Sequence, residues 1–266
     1  MSVPVEQLVP GEAPLGILLL HGLTGTAAEM GPVAETLAGR FPLWVARIAG
    51  HETSVTELAR TSWGDWYASA VTGADALLRV TPRIVVVGLS MGAMLAVRLA
   101  VERKDAVAGM VLLSPAIALR RPWLRWLGGP CRLRAAADAR LPVVQRLLAP
   151  LVMTKDGSDI ADLEVRSQHP GYRQVPLRAL LNLLRLQRLA WLDAPALTQP
   201  ALVMHATNDH TCPIDAARAL FERLGSRDKR LVVLDRGFHV VTVDCERERV
   251  LAEIDAFLAS RVAHLS

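Results

Sequence analysis

The residues Gly88-Leu89-Ser90-Met91-Gly92 place a serine between two glycines. The apolar run Ile84-Val85-Val86-Val87 comes directly before them, and Ala93-Met94-Leu95-Ala96-Val97-Arg98-Leu99-Ala100 directly after. Strand, glycine-flanked serine and helix together predict a sharp, strained turn. Such a turn lifts the hydroxyl clear of a sheet and aims the next backbone N–H at the same point. Side chains at the flanks would strike the neighbouring strand and helix, so glycine is needed there. The five-residue pattern alone also fits an ordinary strand–helix loop. A hydroxyl becomes a nucleophile only when a base takes its proton, so the partners decide the reading.

Seven histidines compete for the role of base: His21, His51, His169, His205, His210, His239 and His264. Reacting groups in a doubly wound sheet gather beyond the strand C-termini. His239 follows the last apolar run by the short loop Asp235-Arg236-Gly237-Phe238 and precedes the final helical segment. The alternative for it is a capping or core histidine beside Phe238. A base of this kind needs a carboxylate to hold its tautomer and stabilise the imidazolium. Asp209 ends the loop Ala206-Thr207-Asn208-Asp209 after the run Leu202-Val203-Met204-His205, and a helix is expected to start near Pro213. Asp215 belongs in the first turn of that helix. Asp235 and Asp244 are reserves for the acid, and His210 reads as a loop residue. The oxyanion formed on attack needs donors. The first strand ends in His21-Gly22-Leu23-Thr24-Gly25, and the Leu23 and Met91 N–H groups are expected to form the oxyanion hole. His21 is expected to brace that loop through hydrogen bonds. A base that must start neutral predicts activity rising through about pH 6–7.

These groups are far apart in sequence and need a scaffold that brings them to one rim. Apolar runs at 17–20, 43–46, 84–87, 110–113, 201–205 and 231–234 alternate with helix-like segments at 27–40, 65–79, 91–102, 215–224 and 246–261. Continuous apolar runs suit strands buried on both faces. Their alternation with helices predicts an α/β fold with a mostly parallel sheet flanked by helices. With 266 residues, 52% of them hydrophobic, one large core is expected. Residues 1–116 and 191–266 form that core in this reading. Residues 117–190 break the rhythm, with no convincing core strand and a composition rich in Leu, Ala and Arg. They are read as a helical cap insertion over the rim. This stretch holds 13 basic and 5 acidic side chains, a net +8 in a chain whose total is +4. Trp123, Trp126 and Leu127, with the leucine-rich stretch 180–189, are candidates to line an acyl channel; the alternative is that they pack on the body. The cap arginines are either a solvated face or a contact for an anionic head group or lipid surface.

Cys131, Cys212 and Cys245 are odd in number and widely spaced. They fit no metal-binding pattern, and a reduced, cytoplasmic compartment is expected. Residues 1–16 lack a basic start followed by an apolar stretch, which argues against a signal peptide. No run has the length of a membrane span, and no basic, aromatic-interleaved stripe suggests nucleic-acid binding.

The motifs now taken together resemble the α/β-hydrolase superfamily, and within it the bacterial carboxylesterase and monoacylglycerol lipase branch. They are His21-Gly22-Leu23-Thr24-Gly25, Gly50-His51, Thr61-Ser62-Trp63-Gly64-Asp65-Trp66, Gly88-Leu89-Ser90-Met91-Gly92, Asn208-Asp209 and His239-Val240-Val241-Thr242-Val243-Asp244. Val175-Pro176-Leu177 resembles the end of that branch's cap. The resemblance implies the α/β-hydrolase fold and a serine carboxylic-ester hydrolase working through an acyl-enzyme, with no cofactor and no metal. Its substrates would be short- to medium-chain esters or monoacylglycerols. It assigns the nucleophile to Ser90, the base to His239, the acid to Asp209 and the oxyanion donors to Leu23 and Met91. A thioesterase or acyltransferase would use the same triad, and a low-turnover small-molecule-binding relative would keep the fold. Two motifs depart from the branch. Glu52 follows Gly50-His51 where glycine is usual, and Ala93 stands where a further glycine is frequent.

Overall fold

The computed structural model describes residues 3–120 and 151–263. In chain order the strands are β1 (Leu8–Val9), β2 (Leu15–Leu20), β3 (Leu43–Ala46), β4 (Arg83–Leu89), β5 (Val107–Leu113), β6 (Val152–Thr154), β7 (Gln174–Pro176), β8 (Ala201–Ala206) and β9 (Lys229–Leu234). The helices are α1 (Gly31–Leu37), α2 (Val55–Arg60), α3 (Trp63–Leu78), α4 (Met91–Glu102), α5 (Leu163–Gln168), α6 (Leu177–Asp193), α7 (Ile214–Arg223) and α8 (Arg247–Ala263). Seven strands form one sheet in the order β1-β3-β2-β4-β5-β8-β9. All its pairs are parallel except the edge pair of β1 with β3. This is the mostly parallel, helix-flanked sheet expected from the alternation of apolar runs and helices, and it agrees with the α/β-hydrolase fold that the resemblance implies.

The continuous apolar runs have a direct explanation. Successive side chains on a strand point to opposite faces, and both faces here are covered. Leu18, Leu20, Val86, Leu112 and Val203 enter a core shared with α3, α4, α6 and α7. Ile17, Leu19, Val87, Leu113 and Met204 enter a second core shared with α1 and α8. Trp66 on α3 is fully buried in the first core, and its Nε1 donates to Thr61 Oγ1 at 2.9 Å. The motif around it is a helix start. Ser62 Oγ accepts the Asp65 N–H, while the Asp65 carboxylate accepts the Ser62 N–H at 2.8 Å, a reciprocal capping box.

Three expectations are refined. The helix read over 27–40 is a 3-10 turn at Ala27–Met30 followed by α1. The chain re-enters at Gly31-Pro32, where proline suits the first turn of a new helix. β1 is an additional strand, and α2 is an additional helix capped by Ser54 Oγ, which accepts the Glu57 N–H at 3.1 Å. Among the described residues between β5 and β8 come β6, α5, β7 and α6 in that order, with β6 and β7 paired antiparallel. The last of these runs unbroken past residue 190 to Asp193 and buries Leu180, Leu183 and Leu186 against the first core. Arg98 on α4 pairs with Asp193 at 2.9 Å.

β2, β4 and the start of α4 approach one another backbone to backbone. A Cβ on Gly92 would sit 2.2 Å from the Leu20 carbonyl oxygen, and one on Gly88 would sit 2.3 Å from the Gly92 backbone. Gly31 is the opposite case, with helical dihedrals and nothing within 4 Å of an added Cβ. Gly92→Ala is therefore expected to lower the melting temperature by about 2–6 °C or more, the scale of overpacking in a closed core. Gly31→Ala should raise it by about 1–2 °C by restricting the unfolded chain. Thermal unfolding of both variants checks this; an unchanged melting temperature for Gly92→Ala would contradict the contact of α4 with β2.

Candidate active site

The chain leaves β2 to build β3 on one side and leaves β4 to build β5 on the other. This divergence opens a crevice beyond the C-termini of β2 and β4, the usual ligand position in such sheets. The loop 21–25 follows β2, and Ser90 follows β4. Ser90 has φ 57° and ψ −111°, a conformation that costs a side-chain-bearing residue on the order of 1–3 kcal/mol. Backbone bonds hold it there. The Ser90 N–H donates to the Leu113 carbonyl at 2.8 Å, and the Ser90 carbonyl accepts the Ala93 and Ala116 N–H groups at 3.2 and 3.3 Å.

The three residues expected to act together meet on this rim. Ser90 Oγ lies 2.8 Å from His239 Nε2, and His239 Nδ1 lies 2.7 Å from Asp209 Oδ2. An ionised carboxylate only accepts, so Nδ1 carries the proton towards Asp209 and Nε2 is free to accept the Ser90 hydroxyl. Asp209 Oδ1 accepts the Thr211 and Cys212 N–H groups at 2.8 and 2.7 Å. Burial works to raise the Asp209 pKa, but His239, with the hydrogen bonds from His205 and His239, holds it well below the usual carboxylate range. Burial works to lower the His239 pKa, but the Asp209 carboxylate outweighs it and holds the imidazole above its ordinary 6.5. The arrangement can move a proton from a serine hydroxyl to an imidazole whose tautomer and orientation are fixed.

The two reserves for the acid serve elsewhere. Asp235 is exposed. Asp244 is buried and accepts the Phe238 N–H at 2.7 Å and those of Ala161 and Asp162 at 3.0–3.1 Å, so it fastens the His239 loop to the segment before α5. That segment also supplies Asp159. Its carbonyl accepts the His239 and Val240 N–H groups at 3.0 and 3.1 Å. Its carboxylate accepts the His210 and Thr211 N–H groups at 2.8 and 3.0 Å. One residue thus grips the loops that carry His239 and Asp209. Nothing in its sequence spacing relates Asp159 to either loop.

The loop 21–25 lies beside Ser90, since a Cβ on Gly22 would stand 3.2 Å from Ser90 Cβ. Leu23 faces the same cavity as Ser90. Met91 opens α4, where N–H groups have no intrahelical acceptor. His21 braces the loop as expected: its Nε2 accepts the Ile48 N–H at 3.1 Å, and its Nδ1 contacts the Gly22 carbonyl at 2.9 Å. Burial lowers its pKa, in keeping with a neutral ring. Glu52, the departure from the Gly-His-Gly pattern, accepts the Ala27 N–H at 2.6 Å and anchors the 3-10 turn.

A cluster that the sequence did not signal lies behind this loop. Glu29, buried on the 3-10 turn, accepts the Gly22 N–H at 3.2 Å. Its other oxygen is 3.4 Å from His169 Nε2. His169 Nδ1 accepts the Gly171 N–H at 3.2 Å and contacts Ser158 Oγ at 2.7 Å. Lys155 Nζ donates to Thr24 Oγ1 at 2.8 Å, and the Tyr172 N–H donates to the Thr24 carbonyl at 2.8 Å. Burial lowers the Lys155 pKa. Burial works to raise that of Glu29, but the bond to His169 and the nearby His21 leave it lowered. The cavity above Ser90 measures about 310 Å³. Leu119, Met153, Val175, Leu180 and Leu183 form its apolar wall, and Lys155, Asp156, Asp159 and Arg166 its polar side. Trp123, Trp126 and Leu127 lie outside the described residues. Among the described residues, no group of three His, Cys, Asp or Glu is placed to hold a metal ion, and no helix is long and apolar enough to cross a membrane.

Known proteins resemble this chain along most of its length. A family model described as serine aminopeptidase, S33 matches residues 12–246. A thermostable monoacylglycerol lipase of Bacillus sp. (strain H-257) is 30% identical over 96% of this chain and 94% of its own. A carboxylesterase of Bacillus subtilis (strain 168) is 21% identical over 91% of each. Among solved structures, a metagenome-derived lipolytic enzyme superposes with a TM-score of 0.82 at 26% identity, covering 98% of this chain and 100% of that one. The monoacylglycerol lipase of Paleococcus ferrophilus superposes at 0.76 with 20% identity over 96% and 98%, a likeness of fold. A family match across most of the length, with the relay of serine, histidine and aspartate inside it, means that this chain belongs to the serine aminopeptidase, S33 family and is a serine hydrolase of the α/β-hydrolase fold.

Proposed function

We propose that this serine ester hydrolase uses Ser90 as nucleophile, His239 as general base and acid, and Asp209 as the orienting carboxylate. In this reading its substrates are short- to medium-chain esters or monoacylglycerols. The observation that carries it is the continuous relay of 2.8 and 2.7 Å ending at Ser90 on the wall of a half-apolar cavity. Ser90 Oγ attacks the ester carbonyl carbon as its proton passes to His239 Nε2. The carbonyl oxygen takes the negative charge and is met by the Leu23 and Met91 N–H groups. The imidazolium, stabilised by Asp209, then protonates the leaving alcohol, and the acyl group stays on Ser90. Water attacks that acyl carbon while giving a proton to His239, which returns it to Ser90 Oγ as the acid leaves.

Residues 117–190, the cap in this reading, contribute Leu119, Met153, Val175, Leu180 and Leu183 to the cavity. Five apolar side chains on one wall suit an acyl chain, while Lys155 and Arg166 leave a polar side for an alcohol bearing hydroxyl groups. The names of the two Bacillus relatives support the same substrate classes.

Ser90→Ala is expected to lower ester turnover by about 10⁴-fold or more and to abolish labelling by a fluorophosphonate probe, with the melting temperature retained. Turnover near the wild-type level would remove Ser90 from the reaction. The acid limb of kcat/KM follows from the electrostatics of His239. Its neutral form is the active one, and Asp209 raises its pKa. Activity should therefore rise with pH through a midpoint above the ordinary histidine value of 6.5; a pH–rate profile with a midpoint below that value contradicts the pairing. A p-nitrophenyl ester series should show kcat/KM increasing from acetate to butyrate and hexanoate. A maximum at acetate would count against an acyl chain along the apolar wall.

A further inference from the structure

His205 is a buried titratable side chain that the proton relay does not use. It lies on β8, whose other residues are apolar: Ala201, Leu202, Val203, Met204 and Ala206. It has no exposed surface. A polar ring in such a place is tolerated only when bonded. Its Nε2 lies 3.2 Å from Asp209 Oδ2 and 3.2 Å from the Cys212 carbonyl oxygen. Its Nδ1 has no partner among the described residues. A proton on Nδ1 would be buried without an acceptor, whereas a proton on Nε2 meets two acceptors at once. The neutral ring with Nε2–H is therefore the form this pocket selects.

The count of bonds at Asp209 then closes. A carboxylate has about four acceptor positions. The Thr211 and Cys212 N–H groups take two on Oδ1, and His239 Nδ1–H takes one on Oδ2. His205 Nε2–H takes the fourth, on the same oxygen that faces His239. Two donors that share one oxygen compete for its electron density. The more of that density His205 draws, the less is left to stabilise a proton on His239.

We propose that His205 is a positioning residue that acts through Asp209 and sets the basicity of His239. By giving Asp209 a second imidazole donor, it keeps the base from holding its proton too tightly near neutral pH. The inference rests on the assignment of Ser90, His239 and Asp209 above. Other charged groups near the pair are Asp159 and Glu29, which act on His239. Cys212 and Arg120 lie nearby, and burial with Asp209 and Asp159 pushes the Cys212 thiol well up. All four are left unchanged by a substitution at His205, so a shift in the profile reports the His205 donor.

The test compares His205→Leu, which removes the donor, with His205→Gln, whose amide nitrogen stands close to where Nε2 stood. Each is read by the pH dependence of kcat/KM on a soluble ester and by that of the rate of fluorophosphonate labelling. In the leucine variant the acid limb should move to higher pH by about 0.5–1 unit, with kcat at high pH within about tenfold of wild type. The glutamine variant should restore the wild-type limb. An unmoved limb in the leucine variant, or an equal shift in both variants, overturns the proposal, because a packing role would not distinguish them. His205→Val, smaller and suited to a strand, gives the same comparison if the leucine variant does not fold. Labelling does not depend on which ester the enzyme prefers. A wild-type protein that labels at Ser90 but hydrolyses no ester leaves the His205 comparison intact on labelling rates. A wild-type protein that does not label at all would overturn the Ser90 assignment and this inference with it.

Discussion

The contact between the start of α4 and the end of β2 is the constraint on which the site depends. With Gly92 against the Leu20 carbonyl and Gly88 against the Gly92 backbone, no side chain separates the strand from the helix. Only in that narrow space is Ser90 forced to φ 57°, and only there does its side chain stand clear of both elements. The strain of about 1–3 kcal/mol is offset locally by the bonds to Leu113, Ala93 and Ala116. Fully buried neighbours, Leu20, Val87, Met91 and Leu113, leave the turn no room to relax. The same approach brings Gly22 beside Ser90, so the loop and the helix start that carry the proposed oxyanion donors are fixed relative to Ser90 by backbone packing rather than by side chains.

Burying charge next to that turn creates the second requirement. Asp209 is fully buried, and an unpaired carboxylate there would be strongly destabilising. Its loop answers with backbone N–H groups on one oxygen, and the imidazoles of His205 on β8 and His239 after β9 meet the other. Saturation makes Asp209 a rigid acceptor, and a rigid acceptor fixes the ring of His239. Glu29 presents the converse problem, a second buried carboxylate close to where negative charge would develop in the reaction. Its bond from the Gly22 N–H and its approach to His169 engage it behind the loop. Lys155 brings a positive charge to the same loop through Thr24.

Much of this was legible in the chain, for reasons that are local. The apolar runs were readable because both faces of each central strand are covered. Ser90, Asp209 and His239 were readable because glycine spacing and position after a strand are sequence properties. What was not legible depends on contacts between distant segments. β1 is two residues long and exists through its pairing with β3. The break at Gly31-Pro32 divides what reads as one helix. Asp159, Glu29 and His169 are unremarkable polar residues until the fold sets them against the loops they hold. The cap of α2 is an exception, since Ser54 followed by Glu57 is a capping pattern that the sequence does carry.

Those distant contacts have a shared origin with a consequence for the chemistry. Asp159, Lys155 and Tyr172 all belong to the stretch between β5 and β8, and between them they hold the His239 loop, the Asp209 loop and Thr24 next to Leu23. Met153, Val175, Leu180 and Leu183, from the same stretch, form the apolar wall of the cavity. A segment that only covered the site could change freely to suit new substrates. This one also orients the groups that would react, so a change that reshapes the wall shifts the backbone from which Asp159 and Lys155 reach their loops. The shape of the cavity and the positions of the His239 and Asp209 loops are thereby tied to the same stretch of chain. A graft of another lining onto this core must preserve the Asp159 carbonyl and carboxylate contacts before its side chains can matter.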